Sequence, residues 1–157
     1  MDPVLIRPAT PDDLDDLLTL YREMAEGRPA AQPADARSAR PIFQAILADP
    51  VRHLQVAAIG THLVGSADMI IVANLPHDAR PWAVIENVIV AASARRQGVA
   101  TALMHRLMAI ASSAGCYKVQ LMSGKQRTPA HALYRKLGFT AAAEGFKIFL
   151  DGGAPAI

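Results

Sequence analysis

Between Val88 and Ala114 the apolar pattern changes period within a single short turn. The run Val88-Ile89-Val90 is uninterrupted and β-branched, as expected of a strand buried on both faces. Ala92–Gln97 is polar. From Gly98 onward Val99, Ala102, Leu103, Leu107, Ile110, Ala111 and Ala114 recur at helical spacing, and Gly115 is suited to ending the helix. The predicted unit is strand, tight turn, helix, which requires a layered α/β structure.

The flanking sequence extends the unit in both directions. Val4–Arg7 reads as a first strand. Thr10-Pro11-Asp12-Asp13 reads as a helix start, with Thr10 as cap, Pro11 in the first turn and Asp13 closing a capping box. Gly27–Pro41, with three prolines, reads as a loop with a helical turn, followed by a short helix through Ile42, Ile46 and Leu47. His53–Ile59 and Leu63–Val72 flank the hairpin signal Gly60-Thr61-His62, and Trp82–Val90 is the next strand. Tyr117–Met122 is a strand, Thr128-Pro129 opens a helix that Gly138 ends, and Phe139–Ala142 and Phe146–Leu150 are closing strands. The order β-α-α-β-β-β-α-β-α-β-β predicts one α/β (mixed α+β) domain over residues 1–150. Its central sheet is mixed and mostly antiparallel, with six to seven strands and helices on both faces. Residues 151–157 are expected to form a flexible tail.

Composition excludes several classes. With 52% hydrophobic residues and a formal charge of +2, the 157-residue chain has the apolar content of a folded domain and no basic run of a nucleic-acid footprint. Cys116 stands alone, so no internal disulfide forms. The start of the chain lacks the apolar core of a signal peptide, and no stretch approaches the ~18 apolar residues of a membrane span. A soluble, cytoplasmic protein with neither nucleic-acid nor membrane partners is the expectation. His53, His62 and His77 lack metal-site spacing, so no metal is expected.

A helix start carries up to four unpaired N–H groups and roughly half a positive charge, which together favour an anion. Gly98 allows close backbone approach, Ala100 is nearly as small, and Arg95 and Arg96 add charge. Two readings stand on these residues alone: a phosphate-binding turn, or a turn glycine beside solvated arginines. No G-x-x-x-x-G-K-[S/T] occurs, and no G-x-G-x-x-G follows the strand.

Arg95-x-x-Gly98-x-Ala100, after Val88-Ile89-Val90 and before an amphipathic helix, resembles the [Q/R]-x-x-G-x-[G/A] motif of the GNAT family of N-acetyltransferases. Leu133-Tyr134-Arg135-Lys136-Leu137-Gly138-Phe139 resembles that family's later helix–strand segment, and the likeness covers nearly the whole chain. The resemblance implies acetyl-CoA as cofactor. The backbone of Val88, Ile89 and Val90 would pair with the pantetheine arm like an added strand. The amides of Arg96, Gln97, Gly98, Val99, Ala100 and Thr101, with Arg95, would hold the pyrophosphate. Tyr134 would serve the departing thiolate. It also implies that Trp82–Val90 and Tyr117–Met122 are parallel and splay apart to form the CoA cleft. Arg127 stands where many relatives have an asparagine that contacts the cofactor; it either reaches a CoA phosphate or is solvated. Ser123, just after a strand, is a candidate pantetheine contact.

Acetyl transfer needs a neutral amine, and at pH 7 an alkyl amine is about one part in 10³–10⁴ neutral, a cost of roughly 4.6 kcal/mol. A general base contributes about 10²–10⁴-fold. Glu86, in an otherwise apolar strand, is the candidate base, since a carboxylate there is expensive unless paired or functional; a structural or solvated Glu86 is the alternative. Full proton transfer from a tyrosine to a thiolate is uphill by about 2 kcal/mol, so Tyr134 is better suited to hydrogen bonding during expulsion; the alternative is a core aromatic. His105 reads as solvated and Cys116 as a small buried residue.

Ile85–Val90 and Gly115–Val119 also resemble glucosamine-6-phosphate N-acetyltransferases, although Asn87 stands where those enzymes usually carry an acid. A small-molecule amine, with an amino sugar phosphate as one specific case, is the expected acceptor. A protein lysine or N-terminal amine is the second reading, and a CoA-binding module without turnover the third. Many relatives are homodimers, and Phe139–Leu150 would supply the edges.

Overall fold

The computed structural model describes residues 3–151. Residues 152–157 of the expected tail lie outside them. The chain divides into two compact units, Met1–Leu121 and Met122–Ile157.

The first unit is built on a five-stranded sheet in the order β1-β2-β3-β4-β5. The strands are β1 (Val4–Pro8), β2 (Arg52–Ile59), β3 (His62–Val72), β4 (Trp82–Val90) and β5 (Val119–Leu121). The first four are antiparallel neighbours, and β5 runs parallel to β4. Helices α1 (Leu14–Met24) and α2 (Ala36–Ala48) precede β2, and α3 (Val99–Ser113) joins β4 to β5.

Alternation along the strands assigns the faces. Leu54 and Val56 of β2 join Leu14, Leu17 and Leu18 of α1 and Phe43 of α2 in one buried cluster. Across the ladder Leu54 lies opposite Asp68, and Asp68 opposite Glu86, so Glu86 belongs to the α1/α2 face. The intervening residues Ala57 and Gly65 are paired and face α3. A Cβ on Gly65 would stand 3.2 Å from Val99 and 3.3 Å from Leu103.

The start of α1 follows the expected chemistry with one refinement. Asp13 accepts from the Thr10 amide at 2.7 Å and from its hydroxyl at 3.1 Å, but Pro11–Asp13 is a 3-10 turn and the α-helix begins at Leu14. Arg7 of β1 adds two bonds to the same carboxylate, at 2.7 and 2.8 Å. Helix α2 starts earlier than expected, inside the segment read as a loop. Asp35 caps it by accepting from the Ser38 amide at 3.0 Å, and Pro41 lies within it.

In the second unit α4 (Thr128–Lys136) has Pro129 in its first turn. It closes with paired bonds from Gly138 N to Arg135 O, 3.0 Å, and from Phe139 N to Tyr134 O, 2.9 Å. Gly138 takes a φ of 91° there, a conformation that glycine adopts without a Cβ clash. Helix α3 ends the same way, with Gly115 at φ 77° and bonds from Gly115 N to Ser112 O and Cys116 N to Ala111 O.

Two expectations are corrected. The sheet has five strands, not six to seven: among the described residues, 139–150 form no strand. Their alternating pattern lacks the hydrogen-bonded partner that a strand requires, and Phe146, Ile148 and Leu150 are exposed at 88%, 83% and 92%. Val88–Val90 is also not buried on both faces; only Ile89 is buried, with Val88 and Val90 half-buried. No helix among the described residues is long and apolar enough to cross a membrane.

Candidate active site

The parallel pairing of β4 with β5 covers Ala83–Val119, Val84–Gln120 and Ile85–Leu121 and stops there. Strand β4 continues for five more residues to Val90. Beyond Ile85 it has no strand neighbour on the β5 side among the described residues. The orientation of its last peptide is fixed. Ala91 N–H donates to Val64 O of β3 at 2.8 Å, and in a trans peptide the Val90 carbonyl points the opposite way. That carbonyl therefore faces away from β3. The splay is visible in part, as an edge of β4 that the short β5 does not cover.

A bulge sits on the same stretch. Asp68 pairs with Glu86 and Ser66 with Ile89, so β4 carries one more residue than β3 between those pairs. Asn87 takes a φ of 52°, a region asparagine enters more readily than most residues. Glu86 and Asn87 are exposed. The desolvation argument for Glu86 therefore falls away, and what recommends it is its place on the open face of the bulge.

Beside Glu86, sequence reasoning missed a buried ion pair. Asp68, 3% exposed, accepts from Arg52 Nε at 3.0 Å and from a terminal nitrogen at 2.5 Å. Asp68 is the only charged residue in β3, which was the available signal. Tyr21 of α1 lies near this pair, and burial pushes its phenol above the usual range.

The turn after β4 is a 3-10 segment, Ala92–Ala94, leading to Gly98. Gly98 has a φ of 83° and Arg96 of 59°. The first intrahelical bond runs from Ala102 N to Gly98 O, and no side chain caps the helix start. The amides of Gly98, Val99, Ala100 and Thr101 precede that bond and face the helix N-terminus. The space where a Gly98 Cβ would project is open to 4 Å. Arg96 and Gln97 are exposed, Val99 is buried, and Ala100 and Thr101 are half-buried. Gln97 Nε2 donates to Ser93 O at 3.0 Å.

Arg95 is more engaged than a free cation would be. Its Nε donates to Val90 O at 3.1 Å, and a terminal nitrogen reaches Glu23 Oε1 at 3.2 Å. The same Glu23 oxygen accepts from Ala92 N at 2.7 Å. Nothing local in the sequence marks Glu23, which is 69 residues from Ala92.

In the second unit Tyr134 is buried, 8% exposed. Its ring meets Phe139 edge-on, with centroids 6.0 Å apart. The Ser123 hydroxyl is buried without a hydrogen-bond partner in the protein. Arg127 is exposed at the cap of α4. His105 is exposed. Cys116 is half-buried, and burial pushes its thiol up, which does not favour a nucleophile.

A family model described as the acetyltransferase (GNAT) family matches residues 14–139. The chain belongs to the GNAT family. Among solved structures, an Agrobacterium tumefaciens str. C58 protein provisionally named an acetyltransferase is 34% identical, over 92% of this chain and 99% of that one, with a TM-score of 0.85. A transcriptional regulator from Bacillus halodurans C-125 is 30% identical, over 94% of this chain and 100% of its own, with a TM-score of 0.87. A glucosamine 6-phosphate N-acetyltransferase of Trypanosoma brucei brucei is 40% identical over 79 residues, 50% of this chain. The chain spans about half the length, 52%, of that curated relative. As a GNAT member the chain has the expected mixed α/β architecture, with acetyl-CoA as the cofactor its family uses.

Proposed function

We propose that the protein is an N-acetyltransferase that transfers the acetyl group of acetyl-CoA to a primary amine of a small molecule by direct attack. The observation that carries this reading is the uncovered edge of β4 leading directly into an uncapped helix start at Gly98. A strand edge without a neighbouring strand suits the pantetheine arm, and the helix start suits a diphosphate.

The residues present fit the cofactor. Val88, Ile89 and Val90 would offer backbone groups to pantetheine, and the buried, unpartnered Ser123 hydroxyl suits a further contact with it. The amides of Arg96, Gln97, Gly98, Val99, Ala100 and Thr101, with Arg95, would hold the pyrophosphate, and Arg127 is exposed and able to meet a CoA phosphate. When bound, acetyl-CoA supplies the thioester carbonyl. Glu86, directly or through water, would take a proton from the acceptor amine as its nitrogen bonds to the carbonyl carbon, and Tyr134 would donate a hydrogen bond to the thiolate released as the carbon–sulfur bond breaks.

The acceptor is read as a small amine, with an amino sugar phosphate as the specific case; the curated relative from T. brucei brucei, named for glucosamine 6-phosphate, favours it. A protein lysine or N-terminal amine is the second choice of acceptor, and a CoA-binding module without turnover is the reading of a different class. Exposed Phe146, Ile148 and Leu150 suit the homodimer that the family resemblance implies, and a cytoplasmic location belongs to the same reading. Thiol release from acetyl-CoA, measured across a panel of amines including glucosamine 6-phosphate, tests the function. Amine-dependent release is expected. Tight CoA binding without release for any amine would favour a binding module, and neither binding nor release would overturn the reading.

A further inference from the structure

We propose that Glu23 is a positioning residue that pins the cofactor-binding turn to α1. The inference rests on the reading of Arg95–Thr101 as the acetyl-CoA site. One Glu23 oxygen, Oε1, accepts from Ala92 N at 2.7 Å and from Arg95 at 3.2 Å. It thus grips both ends of the 3-10 segment, the first residue at Ala92 and the residue that caps its end at Arg95. Arg95 passes the restraint on, because its Nε holds Val90 O at 3.1 Å. A single carboxylate therefore fixes the last carbonyl of β4 and the turn that leads to Gly98.

The place of Glu23 argues for a role of this kind. It is the penultimate residue of α1, where the negative end of the helix dipole disfavours a carboxylate. Local helix chemistry would prefer lysine or arginine there. The two donors from the turn offset that cost, and bonds to a charged acceptor are the stronger sort. The pin also has a chemical consequence. The Val90 carbonyl and the Gly98 amides belong to the two stretches that pantetheine and pyrophosphate would engage, and holding their separation fixed before binding reduces the ordering that binding must pay for. Helix α1 packs on the face that carries Glu86, so the pin joins the acceptor-side helix to the donor-side turn.

The test uses Glu23→Ala and Glu23→Gln in the full chain. Amide exchange followed by NMR without cofactor reports the pin itself, CoA titration calorimetry reports binding, and steady-state kinetics separate KM from kcat. In Glu23→Ala, Ala92 N–H exchange is expected to accelerate and the Kd for CoA to rise about tenfold. KM for acetyl-CoA should rise with it, while kcat at saturation stays within about twofold, as expected when only ground-state positioning is lost. Glu23→Gln, which keeps an acceptor oxygen without the charge, should recover part of the affinity, and it decides the matter if the alanine variant does not fold. A folded variant with wild-type Ala92 exchange or wild-type CoA affinity overturns the inference, as does a loss confined to kcat. Wild-type protein that binds no CoA would instead overturn the acetyltransferase reading, and the exchange measurement would still report on the pin.

Discussion

Gly65 on β3 lies directly against the Ile89 carbonyl of β4: a Cβ at position 65 would stand 2.9 Å from that oxygen. The obstacle is backbone, and it belongs to the strand that leads into the Gly98 turn. Val99 and Leu103 close the same space from α3 at 3.2 and 3.3 Å. Gly65→Ala is therefore expected to destabilise the fold by about 1–3 kcal/mol, the usual cost of overpacking. Chemical denaturation checks the value. Unchanged stability would mean that β4 and α3 give way freely at this point.

Tyr134→Phe isolates the phenolic hydroxyl, because the ring contact with Phe139 survives the change. Turnover is expected to fall at least about tenfold, within the range of a lost general acid or hydrogen-bond donor. CoA affinity should change little. Unchanged turnover removes Tyr134 from the mechanism and leaves it a core aromatic.

Glu86→Gln tests the base. The residue is exposed, so folding stability should hold, while kcat falls by about 10²–10⁴-fold if Glu86 takes the amine proton. Assays at rising pH, where more of the acceptor is already neutral, should narrow the gap. A variant as active as wild type at neutral pH would hand the role to another group.

Asp13 gives the fold a pH dependence. Hydrogen bonds from Arg7, the largest influence, together with those from Thr10, hold its carboxyl below the usual range against the opposing effect of burial. A lowered folded-state pKa means that this stability is fully present above the unfolded value of about 3.9 and is lost as pH falls through the folded value. Asp13→Asn should cost about 1–3 kcal/mol at neutral pH, as for lost bonds between charged groups, and the difference from wild type should shrink in acid below about pH 3.9. Melting curves from pH 7 to 2 would show it; a constant difference would contradict the assignment.

Much of the first unit was legible because local chemistry and tertiary packing agree there. Strands β2 and β3 lie within a residue of their expected bounds, and β4 matches in full, since alternation and the Gly60-Thr61 turn point the same way. Gly115 and Gly138 ended their helices as expected because left-handed closure is a local property. Helix α2 is longer than the sequence suggests: three prolines across 27–41 read as a loop, but Asp35 caps the helix at Ser38 and Pro41 is tolerated inside it. The closing strands failed for the opposite reason, as alternation specifies a strand only where a partner supplies hydrogen bonds. At the candidate site, the Gly98 turn was readable from its residues, and Asp68 could have been. Glu23 could not, since its contacts arise from two segments that only the fold brings together.

The extra residue at Asn87 acts as a shift of phase. In an unbroken strand Glu86 and Ile89 would point to opposite sides of the sheet. Because β4 gains one residue on β3, both side chains share the α1/α2 side, opposite Asp68 and Ser66, while Val90 comes into line with Gly65 beneath α3. Straightening β4 with every residue kept would exchange inside for outside along everything from Val88 to the turn, whereas deleting Asn87 would leave Glu86 opposite Asp68 and Ile89 opposite Ser66 in a regular ladder.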